Sequence, residues 1–506
     1  MKKMLLFLIA VLGSGILLAG NLTDGILQIS KNLDGKTLFN RISQWDNYSQ
    51  PDSLGIVKNF VNVINDSLKA PYYLYIPEKY DANKRTPLVI YLHGGIGRKN
   101  FPQNFDEYIK ENQFLEFAKA NNWFVLFPNA NKKSFWWNLV GMKNISQQIR
   151  FVKDNYNLDD NQIFLTGFSD GGSGTFTISL SKPDDFASFY PQNGDILVGC
   201  GKSNRPIYLP NLRNRFLAAI NTNEDTLYPA KDMRKLYSVA LDAGANLFYS
   251  EYWGMGHCND YWKEAYPNII NFMKTNPRNI FKSQLYWECD DVEYGKCDWL
   301  AITKLDTSAI KQDWQTQYSA ELIDERLSFG YFPDRNFSEK GDHVLKVNKN
   351  SLAEKMGLKK DDIIIKFDGK NVEKSNDIYK YKSQTSRGEK VTLTVLRNNK
   401  EILLKGKFPE AVHYEAFHYG KISGAVKAKY FGNEFDIQTS RVGEICLYIN
   451  PKMINMEIPI IVNINGREVF HKKIGFDKEF MLKNFMENKD RKALWANKIV
   501  LETIAK

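Results

Sequence analysis

Ser169 stands at the centre of Gly167-Phe168-Ser169-Asp170-Gly171, directly after the apolar run Ile163-Phe164-Leu165-Thr166. The run reads as a buried strand, and the glycines as a sharp turn into a helix that holds the serine hydroxyl clear of the backbone. Side chains at the flanking positions would clash where strand and helix nearly touch. Alone, the pattern is weak: with Gly and Ser at about 7% each, it arises by chance in about one chain in six of this length. A serine hydroxyl is also a poor nucleophile near neutral pH. It requires an adjacent base, a group that orients the base, and donors for an oxyanion.

The sequence offers each of these. His257, in Trp253-Gly254-Met255-Gly256-His257-Cys258, lies in a Gly-flanked loop after a predicted strand and is the candidate base. Of the six histidines, His343, His413, His418 and His471 fall outside this part of the chain, and His93 belongs to another motif. Asp225, in Asn223-Glu224-Asp225-Thr226-Leu227-Tyr228-Pro229, is the candidate orienting acid. A carboxylate there would fix one imidazole nitrogen as a donor and favour the imidazolium. Glu224 is its rival; Asp260 shares the histidine's own loop and fits less well. The oxyanion donors are expected to be the backbone N–H groups of Asp170 and of Gly95, in the His93-Gly94-Gly95 turn that His93 braces. Trp136, Trp137, Tyr228 and Trp253 lie in loops near this site and are candidates for a substrate pocket, or else caps of the core. No Cys or His spacing suggests zinc, and no metal or organic cofactor is indicated.

Strands and helices alternate around these residues. Strands are expected at 71–77, 86–92, 123–128, from 163, at 216–220 and at 246–249, with helices at 144–156, 233–243 and 266–274. This alternation predicts a parallel α/β sheet with helices on both faces. The apolar, non-alternating strands agree with burial on both sides. Residues 21–66 read as a lead-in segment with one amphipathic stretch at 56–68. Beyond residue 282 the texture becomes β-rich, and Ile464-Asn465-Gly466 signals a hairpin. A helix is expected at 477–486 and a last strand at 498–502.

A length of 506 residues predicts several domains. The formal charge of +10 is spread along the chain without a Lys/Arg block interleaved with aromatics, so a nucleic-acid groove is not expected. Met1-Lys2-Lys3 followed by an apolar run to Ala19 reads as a secretory signal peptide over 1–20, too short for a comfortable membrane span. The protein is therefore expected to be exported, to a periplasm or outside the cell. Of five cysteines, Cys289 and Cys297 are the best pair, flanking residues 290–296 in an expected hairpin, and Cys200 with Cys258 is a second choice. Cys446 reads as a buried thiol.

Leu92-His93-Gly94-Gly95, Gly167-Phe168-Ser169-Asp170-Gly171-Gly172, Asn223-x-Asp225-x-x-Tyr228-Pro229 and Gly256-His257 together resemble the secreted α/β-hydrolases. The resemblance is to the polyhydroxybutyrate-depolymerase-like and feruloyl-esterase-like group, which shades into prolyl-oligopeptidase-like serine peptidases. It covers 67–282 and implies a doubly wound α/β-hydrolase sheet, a Ser169–Asp225–His257 triad and hydrolysis through an acyl-enzyme. Residues 323–407 resemble a bacterial-type PDZ domain. Ser328-Phe329-Gly330-Tyr331 matches its carboxylate-binding loop, with Ser328 in place of the usual first glycine, so that Phe329, Gly330 and Tyr331 would receive a peptide C-terminus. Ser351 to Ile364 match the helix, turn and strand that follow. The flanking segments 283–322 and 408–506 read as halves of one β-rich module into which the PDZ unit is inserted; beads on a string is the alternative. The leading expectation is an exported serine esterase acting on a small ester. A serine peptidase whose PDZ groove gathers peptide C-termini, and a catalytically idle binding protein, are the alternatives.

Overall fold

The computed structural model describes residues 21–65, 68–102, 104–203, 205–334, 336–417 and 420–503. The expected signal peptide, and the side chain of Cys200 needed for its pairing with Cys258, lie outside the described residues. The chain divides into two compact units, one of residues 1–319 with 417–506, the other Ala320–Ala416.

The first unit is organised on an eight-stranded sheet: β1 (Ile56–Asn65), β2 (Leu68–Ile76), β3 (Thr86–Leu92), β4 (Phe124–Pro128), β5 (Leu158–Phe168), β6 (Ser188–Gln192), β7 (Phe216–Thr222) and β8 (Leu247–Tyr252), in the spatial order β1-β2-β4-β3-β5-β6-β7-β8. β1 and β2 are antiparallel to their neighbours; the rest run parallel. The order, with β2 as the one strand antiparallel to both of its neighbours, is that of the α/β-hydrolase sheet. Central strands such as β3 and β4 are buried nearly end to end, as helices on both faces require. On one face, the helices Gln113–Ala120 and Trp262–Thr275 bury Phe114, Leu115, Tyr266, Ile269 and Met273 against Tyr91, Val125 and Phe164. Right-handed crossovers place the helices Leu139–Asn155, Asp170–Ser181 and Ala230–Asp242 on the other. The connections leaving β3 and β5 therefore diverge to opposite faces. The crevice where they part, at the carboxyl ends of the strands, is where an open α/β sheet binds ligands.

Within the expected lead-in segment, residues 21–65 form helices Leu22–Ser30 and Gly35–Ser43 and then β1, the edge strand of this sheet. The amphipathic stretch has the alternation of a half-exposed strand, with Val57, Val61 and Val63 outward. Cys289 and Cys297 do not pair; both are free, buried thiols. The hairpin lies elsewhere, between Lys296–Cys297 and Leu300–Leu305, turning at Asp298, whose φ is +52°. Cys289 ends a strand of a different sheet.

That second sheet has five strands, in the order Arg467–Lys472, Ile460–Ile464, Glu434–Ser440, Gly424–Phe431, Gln284–Cys289. A further sheet joins Lys296–Cys297, Leu300–Leu305, Val442–Ile449 and Asn497–Glu502. Strands from before and after residues 320–416 thus share both sheets: Gln284–Cys289 lies at the edge of the first, and Leu300–Leu305 pairs with Val442–Ile449 in the second. Buried charge fastens the module and the N-terminal helices to the eight-stranded sheet. Arg491 donates to Asp160 Oδ2 (2.9 Å), Asn157 Oδ1 (2.8 Å) and Trp45 O (2.8 Å), while Asp490 accepts from Arg278 (2.8 Å) and Lys153 (2.7 Å). Burial alone would raise the Asp490 carboxyl; Arg278 and Lys153 beside it hold it well below the usual range.

The second unit has its own core of Phe329, Val344, Ile364, Phe367, Leu393 and Val395 among others. Its main sheet runs Tyr331–Pro333, Asp342–Val347, Ile363–Phe367, Lys390–Arg397, Lys400–Lys407. The short helix Leu352–Met356 is capped by the Ser351 hydroxyl and ends on Gly357 at φ +83°, the left-handed position glycine tolerates best. The unit begins and ends in an antiparallel pair, Ala320–Asp324 with Val412–Ala416, in which Ala320 faces Ala416. Its two ends are therefore one ladder rung apart, about 5 Å. Replacing residues 320–416 by a short Gly/Ser link is expected to leave a cooperatively folding remainder with the full-length chain's thermal midpoint within a few degrees, as circular dichroism can measure. An unfolded remainder would contradict the autonomy of the two units.

Candidate active site

β5 ends in the turn that carries Ser169, and the turn is built by close backbone approach. A Cβ on Gly171 would fall on the Leu92 carbonyl of β3, and one on Gly172 would meet the Gln192 carbonyl of β6 at 2.6 Å. Only glycine fits. The chain reverses through Ser169 at φ +61°, ψ −121°, a conformation that costs a non-glycine residue about 1–3 kcal/mol. Two hydrogen bonds hold it, from Ser169 N–H to Gln192 O and from Ser173 N–H to Ser169 O, both 3.0 Å.

His257 follows β8. Its Nε2 lies 2.8 Å from Ser169 Oγ, and its Nδ1 2.7 Å from Asp225 Oδ2. The ring is flanked by Phe168 and by the edge of Tyr228, with centroids 5.0 and 5.5 Å away. Asp225 is buried. Burial would raise its pKa, but hydrogen bonds from His257, the Tyr228 N–H and the Asn193 amide hold it below the ordinary value. An ionised carboxylate only accepts, so Nδ1 carries the proton and Nε2 offers its lone pair to the serine hydroxyl. Glu224 and Asp260, the neighbouring carboxylates, are exposed.

The two loops are stitched together. Glu224 N–H donates to Met255 O (3.0 Å), Gly254 N–H to Asn223 Oδ1 (2.7 Å) and Thr222 Oγ1 to Gly256 O (2.6 Å). Asn193 had no signal in the sequence. It follows β6 at φ +41°, donates to Asp225 Oδ2 (3.0 Å) and Thr222 Oγ1 (2.6 Å), and accepts from the Tyr261 hydroxyl (2.9 Å). The Asn-Gly pair after a short strand marks a turn, but nothing in it marks a partner for Asp225.

The loop after β3 lies against the serine. A Cβ on Gly94 would sit 3.0 Å from Ser169 Cβ, and Gly95 takes φ +66°. Asp170 opens the helix beyond the elbow, where the first N–H groups have no intrahelical acceptor. Its carboxylate Oδ2 accepts the Ile96 N–H (3.0 Å) and so ties the Gly94-Gly95 loop to the elbow. His93 holds the loop from below. Its Nε2 accepts the Ala130 N–H (3.1 Å), which leaves Nδ1 to donate to Gly94 O (2.8 Å). Burial lowers its pKa to about 4.

The four aromatics expected to line a pocket divide. Trp136 is fully buried, donates to His93 O (2.9 Å) and packs at Gly174, and Trp137 is buried and stacked on Phe135. Both hold the loop scaffold, because the turn after β4 folds inward. Tyr228 is buried with its ring against His257, and Trp253 is 72% exposed. In the other unit, Phe329 packs against Phe367 and Phe408 and its carbonyl accepts the Ala353 N–H (2.7 Å). Gly330 takes φ +82°, which brings it against Ser351, and Tyr331 hydrogen-bonds Asp342.

Residues 334–407 match the PDZ domain family. The chain is similar to the bifunctional acetylxylan esterase/xylanase XynS20E of Neocallimastix patriciarum, 25% identical over 211 residues, covering 37% of this chain and 30% of that one. It is similar to a probable feruloyl esterase C of Aspergillus oryzae, 29% identical over 151 residues, 29% of this chain and 54% of that one. It also matches the serine protease Do-like HtrB of Bacillus subtilis, 34% identical over 112 residues, 22% of each chain. The chain spans about half the length, or less, of these relatives. It joins an α/β-hydrolase fold to a PDZ domain at residues 334–407.

Proposed function

We propose that this chain is an exported serine hydrolase that cleaves carboxylic esters through an acyl-enzyme on Ser169. The observation that carries the reading is the continuous hydrogen-bonded chain Ser169–His257–Asp225 at 2.8 and 2.7 Å. Ser169 Oγ attacks the ester carbonyl as His257 Nε2 takes its proton. The carbonyl oxygen becomes an oxyanion facing the N–H groups of Gly95 and Asp170. On collapse the C–O bond breaks, and His257 returns the proton to the leaving alcohol. Water then attacks the acyl carbon by the same steps and frees Ser169 and the acid. Asp225 stays ionised and stabilises the imidazolium. The esterase names of two relatives favour an ester as the bond cleaved. For localisation, no helix among the described residues is long and apolar enough to cross a membrane, and the apolar leader at 1–20 carries the export reading.

A second reading, a serine peptidase, is favoured by the PDZ match and the likeness to a Do-like serine protease. There the Phe329-Gly330-Tyr331 loop would hold a peptide C-terminus beside the edge strand Tyr331–Pro333. A panel of p-nitrophenyl esters and peptide anilides separates the two. Ester hydrolysis is expected, with Ser169→Ala lowering kcat at least about 10⁴-fold and Asp225→Asn about 10⁴-fold. Turnover of anilides alone would favour the peptidase, and Ser169-independent turnover would refute both.

The neutral His93 under the oxyanion loop adds a pH dependence. Its folded pKa of about 4 lies below the ordinary 6.5, so the unfolded chain binds more protons between these values. The stabilisation is complete above pH 6.5 and is lost as pH falls towards 4, amounting to about 3 kcal/mol. Urea unfolding between pH 4 and 7 is expected to show this slope, and His93→Gln to flatten it.

A further inference from the structure

Beside the Gly94-Gly95 loop the surface opens into a pocket of about 420 Å³ whose lining includes His93, Gly94, Gly95, Arg98, Phe105 and Tyr108. Its place relative to the reaction follows from the proton path. The leaving alcohol takes its proton from His257 and so departs on the side of that ring. Among the described residues, its lining includes none from the loops that carry Asp225 and His257, yet it shares Gly94 and Gly95 with the loop that lies against Ser169. On the acyl-transfer reading above, this assigns it to the acyl side of the scissile bond.

The floor is aromatic. Phe105 and Tyr108 stack with centroids 5.1 Å apart and planes 25° from parallel, and the His93 ring meets Phe105 edge-on at 5.1 Å. Asn104 and Pro102 complete the wall, and His93 is held neutral by burial. Arg98 is then the one charged residue among the described lining. Its side chain is exposed, and no described carboxylate forms an ion pair with it. The charge is near enough to His93 to disfavour protonation of that ring. The main chain around it is anchored on both sides: the Lys132 N–H donates to Arg98 O (2.9 Å), and the Ile96 N–H is held by Asp170 (3.0 Å). An unpaired guanidinium on a fixed loop, over an apolar floor, suits a chain of a few methylenes that ends in a carboxylate.

We propose that Arg98 makes this pocket selective for acyl groups ending in a carboxylate, as in half-esters of short dicarboxylic acids. The methylenes lie on Phe105 and Tyr108, and the terminal carboxylate takes charge-assisted hydrogen bonds from the guanidinium. A neutral acyl chain of the same length gains the first contact and not the second. The proposal rests on the acyl-transfer reading above, because that reading decides which side of the bond the pocket serves.

Two measurements test it. The first compares 4-nitrophenyl hydrogen glutarate with 4-nitrophenyl pentanoate, which share a leaving group and an acyl chain length. The glutarate is expected to have the higher kcat/KM by about tenfold, carried by KM, and Arg98→Gln to bring the ratio to about one. Arg98→Lys, which keeps the charge without the fork, is expected to restore part of it. The second needs no turnover. The Ser169→Ala protein is titrated calorimetrically with methyl hydrogen glutarate and with methyl pentanoate, with and without Arg98→Gln. Tighter binding of the glutarate by about tenfold, lost with Arg98, is expected. Equal binding of the two esters, or a preference that survives Arg98→Gln, overturns the proposal. A preference seen in the titration with no Ser169-dependent turnover of either ester would uphold the pocket and reject the hydrolase reading.

Discussion

Around Ser169 three strands and a helix approach until their backbones touch, and most of the site follows from that contact. Gly171 lies on the Leu92 carbonyl, and Gly172 on the Gln192 carbonyl. With no side chain between them, β3, β5 and β6 end at one level, and the loops that leave them meet. The Gly94-Gly95 loop comes down onto Ser169, and Asn193, leaving β6, reaches Asp225. The strained backbone of Ser169 is maintained because neighbours on both sides fix it. A methyl group at Gly171 would disturb the Ser169 turn, the Gly94-Gly95 loop and the β3–β5 pairing at once.

The remainder of the first unit keeps those strand ends in register. Lys153, Asp160, Arg278, Asp490 and Arg491 form a buried charged chain that reaches from the start of β5 to the C-terminal segment. Removing one member would leave its partner buried and unpaired, at a cost of about 3–5 kcal/mol. A second cluster, Arg215 with Asp298, binds the β module near the start of β7. The β module and the eight-stranded sheet thus share one compact unit, whereas residues 320–416 form the other, which opens and closes with a five-residue ladder of its own.

Much of this was legible from residue types. The strands of the parallel sheet announced themselves as apolar runs, and Ser169, Asp225 and His257 each sit in turn chemistry after a strand. The structure brings these three side chains together. What sequence did not carry was side-chain direction. Trp136 and Trp137 look alike to any loop aromatic, and only the inward fold of the turn after β4 buries them. The spacing of Cys289 and Cys297 suits a hairpin, but a one-turn helix at Val292–Tyr294 intervenes and sends the second cysteine into another sheet. β6 carries no strand signal because it is five residues long and holds Pro191, and β1 carries little because an edge strand with outward valines resembles an amphipathic surface segment. Asn193 and the buried ion chain join residues far apart in sequence, and no local pattern records such a pairing.

The central claim is that Ser169 is a nucleophile activated by His257. The direct measurement is labelling of the full-length protein with a fluorophosphonate, followed by peptide mass spectrometry to locate the adduct. The account predicts a single adduct on Ser169, absent in Ser169→Ala and formed at least about 10³-fold more slowly in His257→Ala. An adduct on another residue, or labelling at an unchanged rate without His257, would contradict it.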